Sequence, residues 1–523
     1  MALTKSLKEI IADDKTGLLS KHETWERVSL RDVADVLNGF PFDSKLFHPS
    51  VGTPLIRIRD IISGSTDTFY TGEFASQFLV NSGELLIGMD GDFNSARWRS
   101  SPSLLNQRVC KITPKENFYS GKLLEYALPG YLGAINAATS SVTVKHLSSR
   151  SIEDIELPLP PLKEQTRIVN KLDELISDLN AGVAELKAAQ KKLIQYRQSL
   201  LKAAVEGELT GAWRAEQEKH GEALETGVQL LERILTERRK RWEEKQLAKF
   251  KEQGKKPPKG WQDKYPEPVK PDTTNLSELP KGWVWVKVDH VGNVQLGRQR
   301  APKYHTGDNM VPYLRVANVF EDRIDISDIK KMHFSFDEEN TFKLQYGDIL
   351  LNEGQSLELV GRSAIYRNEL PRACFTNTLV RLRTENGVLP EFAQYIFLHY
   401  LHSGRFRKIA TITTNIAHLG AGRFAEIEFP LPGVEEQKAI VQSLCAEFDR
   451  IREQIKAIEH SFKQIAAQRK NILKSAFSGQ LVPQDPSDEP ASVLLERIRA
   501  ERETQVIKGK AVRSRKKKEV VHG

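Results

Sequence analysis

Ile155-Glu-Leu-Pro-Leu-Pro-Pro-Leu-Lys-Glu-Gln165 comes twice: it returns as Ile427-Glu-Phe-Pro-Leu-Pro-Gly-Val-Glu-Glu-Gln437. The offset of 272 residues then holds without a gap to Gly207-Glu-Leu209 and Gly479-Gln-Leu481. Each copy reads as a proline-rich entry, a long helical body and a glycine exit. Prolines suit an extended lead-in and the first helical turn. Glu164 and Gln165, with Glu435 and Glu436, suit the positive end of a helix, and Gly207 and Gly479 suit its stop. The body carries a heptad seam: Leu172, Ile176, Leu179, Val183, Leu186, Gln190, Leu193, Arg197 and Leu200. The second copy has Leu444, Phe448, Ile451, Ile455, Ile458, Phe462, Ile465, Arg469 and Ile472 in the same register. A narrow apolar stripe of this kind wants a partner helix. The matched register favours two long helices packed on each other over two amphipathic helices lying on separate cores. Each body of about 43 residues would run on the order of 64 Å.

The repeat extends outward from the helices. Trp283-Val-Trp-Val-Lys-Val-Asp-His-Val-Gly-Asn-Val294 matches Trp25-Glu-Arg-Val-Ser-Leu-Arg-Asp-Val-Ala-Asp-Val36, and Pro312-Tyr-Leu-Arg315 matches Pro54-Leu-Ile-Arg57. Gly347-Asp-Ile-Leu-Leu351 answers Gly83-Glu-Leu-Leu-Ile87, Phe375–Val380 answers Leu104–Val109, and His418 answers His146. Short β-like runs, such as Thr53–Arg59 and Gln107–Ile112, with a helical stretch near Gly121–Ala138, make each globular part mixed α+β. The charged helical segment repeats as well, with Leu230-Leu-Glu-Arg-Ile234 and Leu494-Leu-Glu-Arg-Ile498. The reading is therefore a short helical or loose leader (1–24), a globular domain (25–156), a long helix (157–210) and a charged helix with a proline-rich linker (211–282). A second domain (283–428), a second long helix (429–482) and a charged helix with a basic tail (483–523) follow. Duplication of this kind implies pseudo-two-fold symmetry within one polypeptide. The helices agree better than the domains, so the helices do one job twice and the domains do two versions of a job.

Length and composition narrow the class. The 523 residues suffice for about three or four domains. No apolar run reaches the length of a membrane span, and Met1-Ala-Leu-Thr-Lys5 has no secretory core, so a cytoplasmic protein is expected. Cys110, Cys374 and Cys445 are too scattered for a disulfide framework or a zinc site. Of the net charge of +8, the tail from Lys508 to Glu519 carries +6, so net charge is weak support for nucleic-acid binding.

The tandem domains opening with Trp25 and Trp283, the L-P-L-P-P-L-x-E-Q entry at Leu157–Gln165, its F-P-L-P-x-x-x-E-Q copy at Phe429–Gln437 and the glycine exits resemble the specificity subunit of type I restriction–modification systems. The resemblance covers nearly the whole chain. It implies an α+β fold: two tandem mixed α/β target-recognition domains separated by two long antiparallel coiled-coil helices. Each domain would read one half of a split double-stranded DNA target. Two modification subunits binding S-adenosylmethionine would methylate adenine, and two ATP- and Mg-dependent restriction–translocase subunits would join them. This chain would hold none of those cofactors and would not itself be catalytic. The charged segments Glu222–Lys251 and Pro490–Thr504, lacking an obvious place in a core, would dock on the modification subunits. Two readers on one face of B-DNA need a separation near one helical turn, ~34 Å, or a multiple.

Candidate DNA contacts are the polar loop clusters. In the first domain these are Arg57, Arg59, Asn94, Arg97, Arg99, Asn106, Gln107 and Lys145. In the second they are Arg298, Arg300, Lys303, Arg315, Gln355, Arg362 and Asn377. Arginine pairs bidentately with guanine and asparagine or glutamine with adenine, while lysine and arginine neutralise phosphates. The competing reading for each is a solvated surface residue. His146 and His418 fit a structural hydrogen bond better than a DNA contact, and Trp25 and Trp283 fit core anchors better than base stacking. Arg197 and Arg469 fit register-setting or pairing with a carboxylate on the opposing helix.

No phosphate-binding loop, H-E-x-x-H or N-P-P-[YF] tetrapeptide is present. A nuclease would have to rest on scattered carboxylates such as Asp348 and Glu353. Three further readings stay open: a fused methyltransferase, a coiled-coil scaffold without DNA specificity, and the specificity partner of a methyltransferase that has no motor subunit.

Overall fold

The computed structural model describes residues 5–139, 145–221, 224–274, 276–413 and 416–504; the basic tail from Lys508 and Glu222 of the first charged segment fall outside them. The chain divides into two compact units, one of residues 1–187 and 459–523, the other of 188–458. The long helices Leu162–Val205 and Val434–Phe477 have 44 residues each, and each lends one end to each unit. Among the described residues no helix is long and apolar enough to cross a membrane.

In the first unit a four-stranded sheet has the order Ala34–Asn38, Val109–Pro114, Leu85–Gly88, Ser95–Arg97. The apolar run at Leu85–Ile87 is unbroken because both sheet faces are covered. Leu85 and Ile87 join a core with the helix Gly121–Ala137, while Leu86 points into a second core with Ile56 and Trp98. The second unit repeats this order with Gly292–Leu296, Leu379–Thr384, Ile349–Asn352 and Ser363–Ile365. Ile349 and Leu351 face one core and Leu350 the other. Each unit also has an antiparallel pair that brings its domain entry beside the strand leading into a long helix: Val28 opposite Leu157, and Val286 opposite Phe429.

A parallel pair recurs too. Ile56 stands opposite Leu105 and Leu314 opposite Phe375. Phe375 therefore answers Leu105, and the sequence register, which set it against Leu104, is off by one. Insertions shift the offset through this region, and periodicity alone does not locate them.

The helix pairing is antiparallel within each unit. Ile168 and Leu172 share a core with Ala476 and Phe477, and Leu200 and Leu201 share one with Ile440 and Leu444. The predicted seam is the face turned from solvent, with one exception: Arg469 is exposed, whereas Arg197 is half-buried.

One expectation is corrected, and the leader takes the helical of its two readings: a Ser6–Glu9 capping box starts the helix Leu7–Ala12, and Ile10 and Leu19 enter the first core. The charged segments do have a place in a core. Leu230 and Ile234, on the helix Gly227–Glu252, are buried in the second unit, and Leu494 and Ile498, in helical residues 491–504, in the first. An i, i+4 pair is enough to anchor a helix whose other faces are charged. The proline-rich linker folds back on the first of these helices, where Trp261 stacks on Trp242 at 5.9 Å between ring centroids.

Candidate nucleic-acid interface

Two side-chain locks fix each domain to the helix entry. Trp25 Nε1 donates to Glu164 Oε2 at 3.0 Å, and Trp283 Nε1 donates to Glu436 Oε2 at 2.8 Å. The neighbouring carboxamides act alike. Gln165 Oε1 accepts from the Ser120 amide and its Nε2 donates to the Phe118 and Pro160 carbonyls. Gln437 Oε1 accepts from the Leu389 amide, and its Nε2 donates to the Gly387 and Pro432 carbonyls. All four side chains of the two E-Q motifs are buried. Their task is to hold a domain, and the helix-dipole reading missed it because Trp25 lies 139 residues away.

The strand topology gathers some of the predicted contacts. Arg57 and the Asn106–Gln107 pair leave the same end of one parallel strand pair, and Arg315 and Asn377 leave the corresponding end of the other. Arg57, Gln107, Arg300 and Lys303 are exposed. Arg300 and Lys303 each rest against a ring, Tyr313 at 5.7 Å and Tyr304 at 5.0 Å from its centroid.

Most of the other candidates are engaged within the protein. Arg59 pairs with Asp67 at 2.6 Å, and Arg97 with Glu125 at 2.7 Å. Arg99 donates to the Ile62 carbonyl, and Lys145 to the carbonyl and side-chain oxygen of Asn136. The Asn94 carbonyl accepts from the Gly88 amide at 2.7 Å. Arg298 is buried, bonded twice to Glu338 and packed 3.8 Å from the Tyr304 centroid. Arg315 pairs with Asp328. Gln355 is half-buried in the strand Gly354–Gln355 and accepts from the Ser356 amide at 3.1 Å. Arg362 lies over the Phe320 ring at 4.7 Å, and burial lowers its pKa.

The recurring histidines are hydrogen-bonded to carboxylates: His146 to Asp90 at 2.6 Å and His418 to Glu353 at 3.1 Å. Asp348 is held by Arg383 through two contacts of 2.7 Å. The seam arginines part company. Arg197 pairs with Glu321, a domain residue and not one on the opposing helix, and its guanidinium lies 4.9 Å from the Phe448 centroid. Arg469 reaches Asn180 at 3.4 Å. Among the described residues no group of three or more His, Cys, Asp or Glu could hold a metal ion.

Residues 22–188 and 280–460 match the type I restriction modification DNA specificity domain family. The chain is 32% identical to the specificity subunit of the type I restriction enzyme EcoBI of Escherichia coli, over 96% of this chain and 97% of that one. It is 25% identical to the EcoKI specificity subunit of Escherichia coli strain K12, over 86% and 88%. In fold it is similar to a chain from a structure describing complex assembly and conformational transition of the type I R-M system. That likeness has a TM-score of 0.58 at 18% identity and covers 87% of this chain and 98% of the other. The two matched domains and the 32% identity over nearly the whole of both chains place the chain in the type I restriction–modification specificity family, as a specificity subunit that recognises DNA sequence.

Proposed function

We propose that each domain reads one half of a bipartite target and that the chain directs adenine methylation and restriction by partner subunits. The observation that carries this reading is a repeated frame with unlike surfaces. Sheet order, parallel pair and helix lock recur, yet Phe40 occupies the bridge to Asn106 where Arg298 bridges Thr376. Phe40 is 45% exposed at this place, whereas Arg298 is turned inward among carboxylate and rings and leaves Arg300 and Lys303 as the exposed groups near it. Two readers on one frame, presenting different groups, would select different half-sites. In this reading, two modification and two restriction–translocase subunits surround the chain in the cytoplasm. They hold S-adenosylmethionine, ATP and Mg2+, and the chain contributes specificity without catalysis.

The test is genome-wide mapping of modified bases in a host carrying the chain with its modification partner, against a host lacking the chain. A new split motif with methyladenine on both strands supports the reading. A complex that assembles and yields no motif refutes it.

A further inference from the structure

In the second unit the strands Thr411–Thr413 and Ile416–His418 pair antiparallel, with Ile412 opposite Ala417 and Thr413 opposite Ile416. Gln355 extends the same row beside Ala417. Along this pair, Ile412 is 62% exposed and Ile416 47% exposed. Alternation along a strand puts these isoleucines on opposite faces, so the pair offers apolar surface on both sides. A single exposed isoleucine is unremarkable on a protein surface, but two on both faces of one narrow ribbon are not.

Charge indicates what meets that surface. From Ser403 to Ala425 the sequence has Arg405, Arg407, Lys408 and Arg423 and no aspartate or glutamate. Arg405 is tied to Glu428. Arg423 braces the base of the ribbon, donating to Thr411 Oγ1 at 3.0 Å and to the His418 carbonyl at 2.8 Å. Glu353 is turned to His418 on the ribbon's other side. Arg407 and Lys408, immediately before the ribbon, are exposed. An apolar ribbon flanked by cations in a carboxylate-free stretch is complementary to a polyanion with apolar groups in its groove.

We propose that these two strands are the groove-reading element of the second domain, a deduction that rests on the specificity reading above. Paired strands fit the major groove of B-DNA, about 12 Å wide. There the face that carries Ile412 and Gln355 would meet a thymine methyl group and a base edge, and Arg407 and Lys408 would meet the flanking phosphates.

The test uses the full chain with its modification partner and maps modified bases for three forms: unaltered, Ile412→Ala with Ile416→Ala, and Arg407→Ala with Lys408→Ala. Exchange of residues 283–428 identifies the half-site belonging to the second domain. The isoleucine variant is expected to relax one or two base pairs of that half-site only and to lower methylation at the original motif about 5- to 100-fold. The cation variant is expected to keep the motif, weaken DNA binding across all sequences and flatten its salt dependence. An unchanged motif and methylation level in the isoleucine variant would overturn the proposal while leaving the specificity reading intact. Weakened complex assembly, with the motif unaltered in the methylation that remains, would assign the ribbon to a protein partner and also overturn it. Absence of a motif from the unaltered chain would remove the specificity reading itself.

Discussion

Trp25 and Glu164 share a buried hydrogen bond of 3.0 Å across 139 residues, and Trp283 and Glu436 repeat it at 2.8 Å. Each carboxylate takes its second partner from the chain just beyond the other helix's exit. Gln484 donates to Glu164, and Thr210 and Arg214 donate to Glu436. The entry of one helix, the exit of the other and the opening of a domain thus meet at one acid. Burial pushes the Glu164 carboxyl up, against the hydrogen bonds from Trp25 and Gln484 that favour its ionised form.

Trp25→Phe keeps an aromatic ring in the core, leaves a void where the larger indole stood, and takes from Glu164 one of its two side-chain donors. The expected cost is about 1–3 kcal/mol, and Trp283→Phe should cost about the same. Denaturant unfolding, with amide exchange to locate the weakened unit, checks both. Substitutions within a few tenths of a kcal/mol of neutral would mean that the carboxylates are satisfied by their second partners alone.

The exit glycines are under two constraints. Gly207 and Gly479 have φ of 72° and 73°. An added Cβ would stand 2.4 Å from the Pro280 ring and 2.6 Å from the His22 side chain, residues that each precede a lock tryptophan by three. Gly→Ala at either place should destabilise by more than the ~1 kcal/mol of backbone strain alone. Neither contact is with the far end of a flexible side chain, since Pro280 presents its ring and His22 its Cβ, so the two substitutions should cost about the same. Melting of each variant measures the cost.

The charged helices are load points of the core. Leu494→Ala should cost about 2–5 kcal/mol in the first unit, and Leu230→Ala should cost similarly in the second. Deleting the chain from Pro490 should therefore weaken the first unit itself. A deletion that left amide protection of residues 85–135 unchanged would show that this helix only rests on the domain.

The Arg197–Glu321 pair predicts a pH dependence confined to the second unit. Burial alone would raise the Glu321 pKa, but His402 and Arg197 outweigh it and hold it at about 2. A carboxyl depressed on folding stabilises above its unfolded pKa, near 4.5, and loses that contribution as pH falls toward 2. The loss is at most about 3 kcal/mol, reduced by screening at its partly exposed surface. Glu321→Gln should flatten this acid limb, whereas Arg469→Ala, at an exposed seam position, should leave stability within about 0.5 kcal/mol. Unfolding followed from pH 5 to 2 separates the two.

Repetition made the helices and sheet frame legible, because an apolar seam and an apolar run state their burial locally. Leu172, Ile176, Leu444 and Phe448 are buried where the heptads put them. Long-range partners were not legible. Nothing near Arg298 or Arg97 in sequence announces Glu338 or Glu125, so these cations passed for free surface groups. The same blindness made the E-Q motifs look like helix-dipole residues and hid the apolar anchor of the charged helices behind their arginines and glutamates. The carboxylate-free stretch from Ser403 to Ala425 was visible in the letters, but only strand pairing shows which of its apolar residues are exposed.

Exchanging residues 25–156 for the matching domain of a specificity subunit with another target, then mapping modified bases genome-wide, tests the central claim most directly. Two independent readers predict a hybrid motif in which one half changes and the other persists. A motif altered in both halves, or unaltered in both, would contradict it.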